Sequence, residues 1–239
     1  MTHDIKNYWD DLWSKRKPEL YTGCKPEVHA LLAKFLPKDP TLKLLEIGCI
    51  PANWIVYFSK EFGYQGYGID YSDHIELARE TCRINNIKAT IWHEDIFKAR
   101  LPIYFDIVFS SGFIEHFSNW QDALEGHIRW LKPGGYLVVA VPNIRGIHKA
   151  LLKTFNPESY STHYLEIINK PEKLRNYLSD RFHISYFGYW VTFRPFYPLP
   201  KIISFFSRIL IKLLKILKIY NIPNLYFSPY LWIIAKKNA

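Results

Sequence analysis

Residues 42–53 read LKLLEIGCIPAN, a short apolar run that leads into a glycine. The run over 42–47 predicts a strand buried on both faces. Gly48 then permits a tight turn and lets the backbone approach a ligand without a Cβ in the way. Apolar residues at helical spacing over 53–62, ended by Gly63, predict a helix directly after that turn.

The same alternation continues along the chain. Helices are predicted over 72–85, 120–131 and 170–178, and further strands over 66–70, 89–92, 104–109, 136–141, 182–189 and 226–235. Strands that alternate with helices require right-handed crossovers and a mostly parallel sheet. We therefore predict a doubly wound α/β fold, in which a seven-stranded sheet has helices on both faces and its last two strands form an antiparallel pair.

Composition narrows the class of protein. The 239 residues are 49% hydrophobic and 22% charged, which argues against disorder. The cysteines, Cys24, Cys49 and Cys82, form no CxxC pair, so a zinc site built on thiolates is excluded and a disulfide framework is disfavoured. The polar N-terminus lacks the apolar core of a secretory signal, so the reducing cytosol is the expected compartment.

The positive charge is concentrated near the end of the chain. The formal net charge is +9, from 31 Lys and Arg against 22 Asp and Glu. Residues 181–239 contain nine basic and no acidic side chains, so residues 1–180 are neutral. Such asymmetry indicates an anionic partner, which could be a phosphorylated lipid, a membrane surface or nucleic acid. A basic tail kept for solubility is the alternative.

Four segments together resemble a known family. LLEIGCIPANW (44–54), YGIDYS (67–72), FDIVFSSGFIEHF (105–117) and LKPGGYLVVAVPN (131–143) resemble, in order, the motifs of class I S-adenosylmethionine-dependent methyltransferases. The first segment has the variant form with a proline at its centre. The resemblance implies a Rossmann-like fold, S-adenosyl-L-methionine as cofactor, and methyl transfer as the activity.

The same resemblance implies a set of cofactor-binding residues. Asp70 ends its strand about 20 residues beyond the glycine turn, where an acid accepts hydrogen bonds from ribose hydroxyls. Asp95 resembles the acceptor for the adenine amino group, and Ile96 lies beside it. The full set is Trp13, Glu46, Gly48, Cys49, Ile50, Ala52, Asn53, Asp70, Tyr71, Asp95, Ile96, Ser110 and Ser111.

The first motif departs from the usual pattern. Two of its glycine positions carry Ile50 and Ala52, and the Cβ of Ala52 is expected to narrow the space beside the cofactor. This departure keeps a second hypothesis open, a catalytically silent binding module with the methyltransferase fold. A nicotinamide-dependent dehydrogenase is disfavoured, because the three-glycine fingerprint is missing.

His116 is the candidate catalytic residue. It follows the fourth strand, and an unperturbed imidazole pKa near 6.5 suits proton removal at neutral pH. The alternative is that His116 orders its loop or contacts the cofactor. No metal is expected, because Gly112 occupies the position where metal-binding relatives carry a glutamate. The acceptor is expected to be small or lipid-linked and methylated on O or N, with contacts from residues 143–165 (His148, Tyr160, His163 and Tyr164) by position only.

The chain divides into three predicted regions. Residues 1–40 resemble a helical cap, residues 41–190 and 224–239 form the α/β domain, and residues 191–223 are an insertion. In the cap, Trp13 and Tyr21 either close over the cofactor or simply pack as part of an N-terminal helix. Within the insertion, residues 201–218 predict a helix with a basic stripe and a wide apolar face. It is too short to span a bilayer. The helix therefore packs on its own core, on a second subunit in a homodimer, or on an anionic membrane. Nucleic acid is disfavoured, since the stretch is too apolar for phosphate binding.

Overall fold

A seven-stranded sheet forms the centre of the computed structural model, which describes residues 3–23, 26–197 and 199–239. Its strand order is β3-β2-β1-β4-β5-β7-β6, and β7 alone runs antiparallel to its neighbours. The strands are β1 (Lys43–Ile47), β2 (Gln65–Asp70), β3 (Ala89–His93), β4 (Phe105–Ser111), β5 (Leu131–Pro142), β6 (Phe182–Trp190) and β7 (Tyr230–Lys237). The predicted mostly parallel sheet, with its late antiparallel pair, is confirmed.

Helices lie on both faces of this sheet. They are α1 (His3–Ser14), α2 (Pro26–Phe35), α3 (Asn53–Phe62), α4 (Ile75–Ile84), α5 (Trp120–Arg129), α6 (Gly146–Phe155), α7 (Pro157–Ser161), α8 (Glu166–Asn169), α9 (Glu172–Leu178) and α10 (Lys201–Ile216). The bounds of α3 are those that the sequence predicts, and Gly63 ends it in the left-handed conformation at φ 81°. Cys24 lies outside the described residues.

The two faces of the sheet carry separate hydrophobic cores. Leu44 of β1 packs in the core that contains residues of α2 and α3, together with Trp232 of β7. The adjacent Leu45 packs on the other face, with residues of α5 and α9. Because successive side chains of a strand point to opposite faces, a central strand must be apolar almost throughout. This is why residues 42–47 lack the polar alternation of a half-exposed strand.

Several elements differ from their predicted bounds. Helix α4 begins at Ile75 rather than at 72, because the Ser72 hydroxyl donates to Asp10 Oδ1 (2.6 Å) and accepts from the His74 N–H (3.2 Å), so these residues form a turn. Strand β7 begins at Tyr230 rather than at 226, because Asn224 Oδ1 accepts from the Tyr226 N–H (2.8 Å) in a preceding turn. Helix α2 falls within the predicted helical cap, whereas α6, α7 and α8 were not predicted. The last two have only five and four residues, too few for a clear periodicity.

The pairing of β5, β6 and β7 determines where the predicted insertion, residues 191–223, leaves the sheet. Trp190, at the end of β6, pairs with Tyr230, at the start of β7, and Tyr230 pairs with Pro142 at the end of β5. The chain over 191–229 therefore leaves and rejoins the sheet at the edge where the parallel strands end. In open α/β sheets this is the edge at which ligands bind. In the described part of the chain, no helix has the length and hydropathy needed to cross a membrane.

Candidate active site

A cavity of about 330 Å³ lies at the carboxyl edge of the sheet. Four strand ends contribute to its wall: Gly48 after β1, Asp70 of β2, Ser111 of β4 and Pro142 of β5. Its volume is in the range of small-molecule sites. The motifs that sequence analysis singled out thus converge at one place.

Gly48 is required by the geometry of the first turn. Its φ is 69°, in the left-handed region that favours glycine. A Cβ at this position would lie 2.6 Å from Cδ2 of Phe113, which is too close for any real contact. The glycine therefore allows Phe113 to pack directly against the turn that follows β1.

Asp70 is held in place by the backbone around it. Its Oδ2 accepts from the Ile50 N–H (3.2 Å) and its Oδ1 accepts from the Ser72 N–H (2.9 Å). Burial raises the pKa of this carboxyl group, although the two backbone donors oppose the rise. The backbone N–H of Tyr71 is a third donor to this carboxylate, which leaves one of its about four lone-pair sites for a ligand in the cavity.

A smaller pocket adjoins this cavity. Gly48, Asp70 and Tyr71 line both, and the smaller pocket adds Asp95 and Ile96. Sequence analysis assigned Asp95 and Ile96 to the adenine ring, and the structure places them next to the residue assigned to the ribose. The two assignments are therefore spatially compatible.

Five of the expected cofactor residues lie away from both pockets. They are Glu46, Cys49, Ala52, Asn53 and Ser110. Glu46 is buried beneath the turn, where its Oε2 accepts from the Ile55 N–H (3.1 Å) at the start of α3, and burial raises its pKa well above the usual range. Ser110 is buried, with its hydroxyl 2.9 Å from Nε2 of His127. Both side chains support the fold rather than the cavity wall.

The other three side chains point elsewhere. Cys49 and Ala52 are fully buried in the cluster between α3 and α4, so the Cβ of Ala52 does not narrow the cavity as expected. Asn53 is exposed and lines a separate cavity together with Tyr21. The expectation that Tyr21 closes the site is also wrong, because its hydroxyl donates to Glu61 Oε1 (2.6 Å) at that other cavity.

Helix α1 covers the cavity through aromatic side chains. Trp13 lines the cavity as expected, and Trp9, from the same predicted cap, stacks on it with ring centroids 5.6 Å apart. Trp9 also meets His116 edge-on at 5.0 Å. The signal for Trp9 was present in the sequence, because residues four apart share a helix face.

Charged contacts attach α1 to the end of β2. Asp10 Oδ1 accepts from the Ser72 hydroxyl (2.6 Å) and from the Asp73 N–H (3.1 Å). Lys6 bridges Asp10 (2.6 Å) and Asp73 (2.7 Å). The contacts hold the helix over Asp70 and Tyr71, which both line the cavity.

His116 is buried, and its tautomer follows from its partner. Nδ1 lies 2.9 Å from the carbonyl oxygen of Thr162, and a carbonyl can only accept, so Nδ1 carries the proton and Nε2 the lone pair. Burial, reinforced by His163, lowers the His116 pKa to about 3. The imidazole is thus neutral at pH 7, but it is a much weaker base than the expected pKa near 6.5 implied.

Two further ionisable side chains surround His116. Glu115 is fully buried without a hydrogen-bond partner for its carboxyl group among the described residues, and burial raises its pKa to about 8. His163 places its ring 4.5 Å from that of His116, and its Nδ1 donates to the Ser159 carbonyl (2.7 Å). One ligand atom from each of the three residues lies within 4.8 Å of the others, so the group could hold a metal ion. That no metal binds stays a prediction.

Part of the cavity wall comes from residues of the predicted insertion. Phe196 and Tyr197 lie there with Tyr230, and sequence analysis missed all three because they come from distant parts of the chain. Of the four contacts expected within 143–165, only His163 lines the cavity. Asn156 and Ser159 line it as well. His148 is buried instead, with Nε2 2.8 Å from the Phe227 carbonyl and Nδ1 3.1 Å from the Tyr197 hydroxyl.

Comparison with known proteins agrees with this architecture. A family model described as a methyltransferase domain matches residues 13–208. Among solved structures, a SAM-dependent methyltransferase from Archaeoglobus fulgidus is 21% identical, with 90% of this chain and 95% of that chain covered and a TM-score of 0.57. The N-methyltransferase NodS from Bradyrhizobium japonicum WM9, solved with S-adenosyl-L-homocysteine, is 12% identical (98% and 100% covered, TM-score 0.58).

A third similar structure holds two bound ligands. The plantazolicin methyltransferase BpumL, in complex with a triazolic desmethylPZN analog and SAH, is 20% identical (100% and 86% covered, TM-score 0.57). No curated protein matches the chain in sequence. At these identities the structures show the shared fold, whereas the family model covers well over half of the chain. The chain belongs to the methyltransferase domain family, and it is an S-adenosylmethionine-dependent methyltransferase.

Proposed function

We propose that this methyltransferase acts on an oxygen or nitrogen atom of a small or lipid-linked acceptor that binds beside His116. The observation that carries the proposal is the continuity of the cavity. Asp70 and Tyr71 line the same cavity as the buried polar group of Glu115, His116 and His163. A donor and an acceptor bound in one cavity can be held in line, and such orientation supplies much of the catalysis of a group transfer.

The part of the cavity around Asp70 has side chains that suit the ribose, adenine and sulfonium groups of S-adenosylmethionine. The Asp70 carboxylate lines the cavity and can still accept a hydrogen bond from a ribose hydroxyl, and Asp95 and Ile96 lie in the adjoining small pocket. The rings of Trp9 and Trp13 line the cavity, and aromatic faces attract a cation such as a sulfonium. Of the two departures that suggested a silent module, the Ala52 side chain is buried away from the cavity, whereas Ile50 lines it.

The cofactor supplies an electrophilic methyl group on a positively charged sulfur. The acceptor lone pair forms the new bond to the methyl carbon as the carbon–sulfur bond breaks, and one proton must then leave the acceptor. Nε2 of His116 is unprotonated, so it can accept a hydrogen bond from the acceptor hydroxyl or amine and orient its lone pair. Because its pKa is about 3, His116 alone is a poor final site for that proton.

Glu115 complements His116 in this respect. Its carboxyl Oε1 lies 3.6 Å from Nε2 of His116, and with a pKa of about 8 it becomes a carboxylate as the pH rises through that value. A hydroxyl acceptor needs a base, whereas an unprotonated amine does not. We therefore expect transfer to a hydroxyl to accelerate towards pH 8–9. Transfer to an amine should instead follow the pKa of the amine.

The experiment that tests the proposal is a methyl-transfer screen over sugars, phenols, amines and lipid-linked sugars, read by mass spectrometry. The expected result is a singly methylated product with stoichiometric S-adenosylhomocysteine. The variant His116→Asn serves as the matched control, since an asparagine amide can still donate to the Thr162 carbonyl. Methylation of no acceptor by a protein that binds the cofactor in calorimetry would contradict the proposal. A cytosolic location is also proposed, and the buried free thiols of Cys49 and Cys82 are compatible with it.

A further inference from the structure

The segment over 202–227 is rich in exposed apolar side chains. Of the seventeen large hydrophobic side chains found exposed in the described residues, twelve fall within 202–227. They are Ile202, Phe205, Phe206, Ile209, Leu210, Leu213, Ile216, Leu217, Ile219, Ile222, Tyr226 and Phe227. We call this set the apolar face. Exposed apolar patches of this extent mark interaction sites on soluble proteins.

Helix α10 packs on the protein body through its opposite side. Ser207 is buried, and Ile211 and Leu214 pack against the core that α2 and α3 share. Lys215 is paired with Glu27 of α2 at 2.7 Å. The helix is thus anchored by one narrow side, and packing on its own core leaves the wide apolar face uncovered.

Free basic side chains flank the apolar face. Lys201, Arg208, Lys212 and Lys218 are exposed and form no ion pair with the described residues. Placed at 100° per residue, Lys201, Arg208 and Lys212 form a stripe between the apolar face and the protein body. Residues 181–239 contain no acid, so a second copy packed face to face would offer this stripe no partner within the segment. The stripe instead complements an anionic surface.

The apolar face belongs to the segment that lines the active site. Phe196 and Tyr197 of the insertion form part of the cavity wall, five and four residues before α10 begins. At its other end, the Phe227 carbonyl accepts from Nε2 of His148, and His148 Nδ1 is within 3.1 Å of the Tyr197 hydroxyl. One continuous segment therefore connects the cavity to the exposed surface.

We propose that the apolar face docks on an anionic lipid surface, with α10 lying in the plane of the interface. Its apolar side chains enter the boundary between headgroups and acyl chains, and the basic stripe meets the lipid phosphates. The cavity is then presented to amphiphilic acceptors held in the same membrane. The docking proposal does not depend on the function proposed above, whereas the proposal of a lipid-linked acceptor does.

Co-sedimentation of the full chain with vesicles tests the docking. Vesicles of equal parts phosphatidylglycerol and phosphatidylcholine should bind the protein, and pure phosphatidylcholine vesicles should bind it much more weakly. The triple change Arg208→Gln, Lys212→Gln, Lys218→Gln should weaken binding roughly 100-fold, at about fivefold per charge. The matched control Lys38→Gln, Lys88→Gln, Arg129→Gln removes three exposed charges elsewhere and should retain most of the binding.

A second variant tests the apolar contribution. Phe205→Ser, Phe206→Ser, Leu213→Ser alters only exposed side chains, so it should keep the melting temperature and lose vesicle binding at any lipid charge. Absence of binding to anionic vesicles at low salt would overturn the proposal. So would a stable dimer in light scattering that the serine variant dissociates, because a second copy would then cover the face. Cofactor calorimetry without lipid is independent of both outcomes, so a failure of docking is distinguishable from a failure of the methyltransferase site.

Discussion

Asp70→Ala is expected to weaken cofactor binding 30- to 150-fold. The carboxylate already accepts backbone N–H groups from Ile50 at 3.2 Å, from Ser72 at 2.9 Å and from Tyr71, which leaves about one acceptor site for the ribose hydroxyls. The loss of a hydrogen bond to a charged acceptor amounts to roughly 2–3 kcal/mol. The measurement is the dissociation constant of S-adenosylhomocysteine by titration calorimetry.

Because alanine also frees the Ile50 N–H, a perturbed turn could lower affinity without any contact to the ribose. The analogue 2′,3′-dideoxy-S-adenosylhomocysteine separates the two causes. If Asp70 binds the hydroxyls, the variant loses affinity for the natural ligand and barely for the analogue. An equal loss for both ligands would refute the reasoning. Asp180→Ala, which removes an exposed acid from the turn before β6, serves as the control and should leave both constants unchanged.

Three further outcomes are expected. His116→Asn should lower turnover about 10²-fold and change the dissociation constant of the cofactor by no more than a few-fold. A loss of cofactor affinity with unchanged turnover of the bound complex would make His116 a binding residue. Glu115→Gln should flatten the pH dependence of stability. The folded-state pKa of about 8 exceeds the ordinary value of 4.5, so the folded protein retains a proton that the unfolded chain releases, and stability falls as the pH rises from 4.5 to 8, by roughly 4 kcal/mol. Melting curves at pH 5 and pH 8 measure this, with exposed Glu76→Gln as control; a slope shared by wild type and Glu115→Gln would count against it. Gly48→Ala should lower both melting temperature and cofactor affinity more than Gly134→Ala does. Both glycines have a φ near 70°, but only the first would place a Cβ against Phe113, so equal losses would show that backbone strain alone matters.

The sequence predicted the elements whose signals are local. Strand β1, the turn at Gly48 and helix α3 follow one another without a gap, and each has its own signature within a few residues. The mostly parallel pairing of the strands and the position of Asp70 at the end of β2 then follow from the β-α-β alternation, whereas the order of the strands was not predicted. These were the parts of the site that the structure placed at the cavity.

The direction in which each side chain points could not be predicted from such local sequence signals. Glu46 and Ser110 lie within cofactor motifs, yet in strands alternate residues face opposite sides, and both side chains are buried away from the cavity. His163 and Phe196 reach His116 and the cavity only through the tertiary arrangement of α7 and the insertion. The pKa of His116 was missed for a related reason, since it depends on burial by residues remote in the sequence.

The attachment of α1 bears on how ligands enter and leave. Side-chain contacts among Lys6, Asp10, Ser72 and Asp73 attach the helix to the end of β2. The stacked side chains of its own Trp9 and Trp13 line the cavity. Partly exposed ion pairs of this kind are individually weak and are screened by salt. Release of α1 therefore requires no unfolding of the sheet, only the loss of polar contacts and of the edge-on contact between Trp9 and His116. The movement of α1 then controls the exchange of S-adenosylhomocysteine for S-adenosylmethionine. The rate of this exchange should increase with ionic strength, although the charged residues that hold α1 take no part in the chemical step.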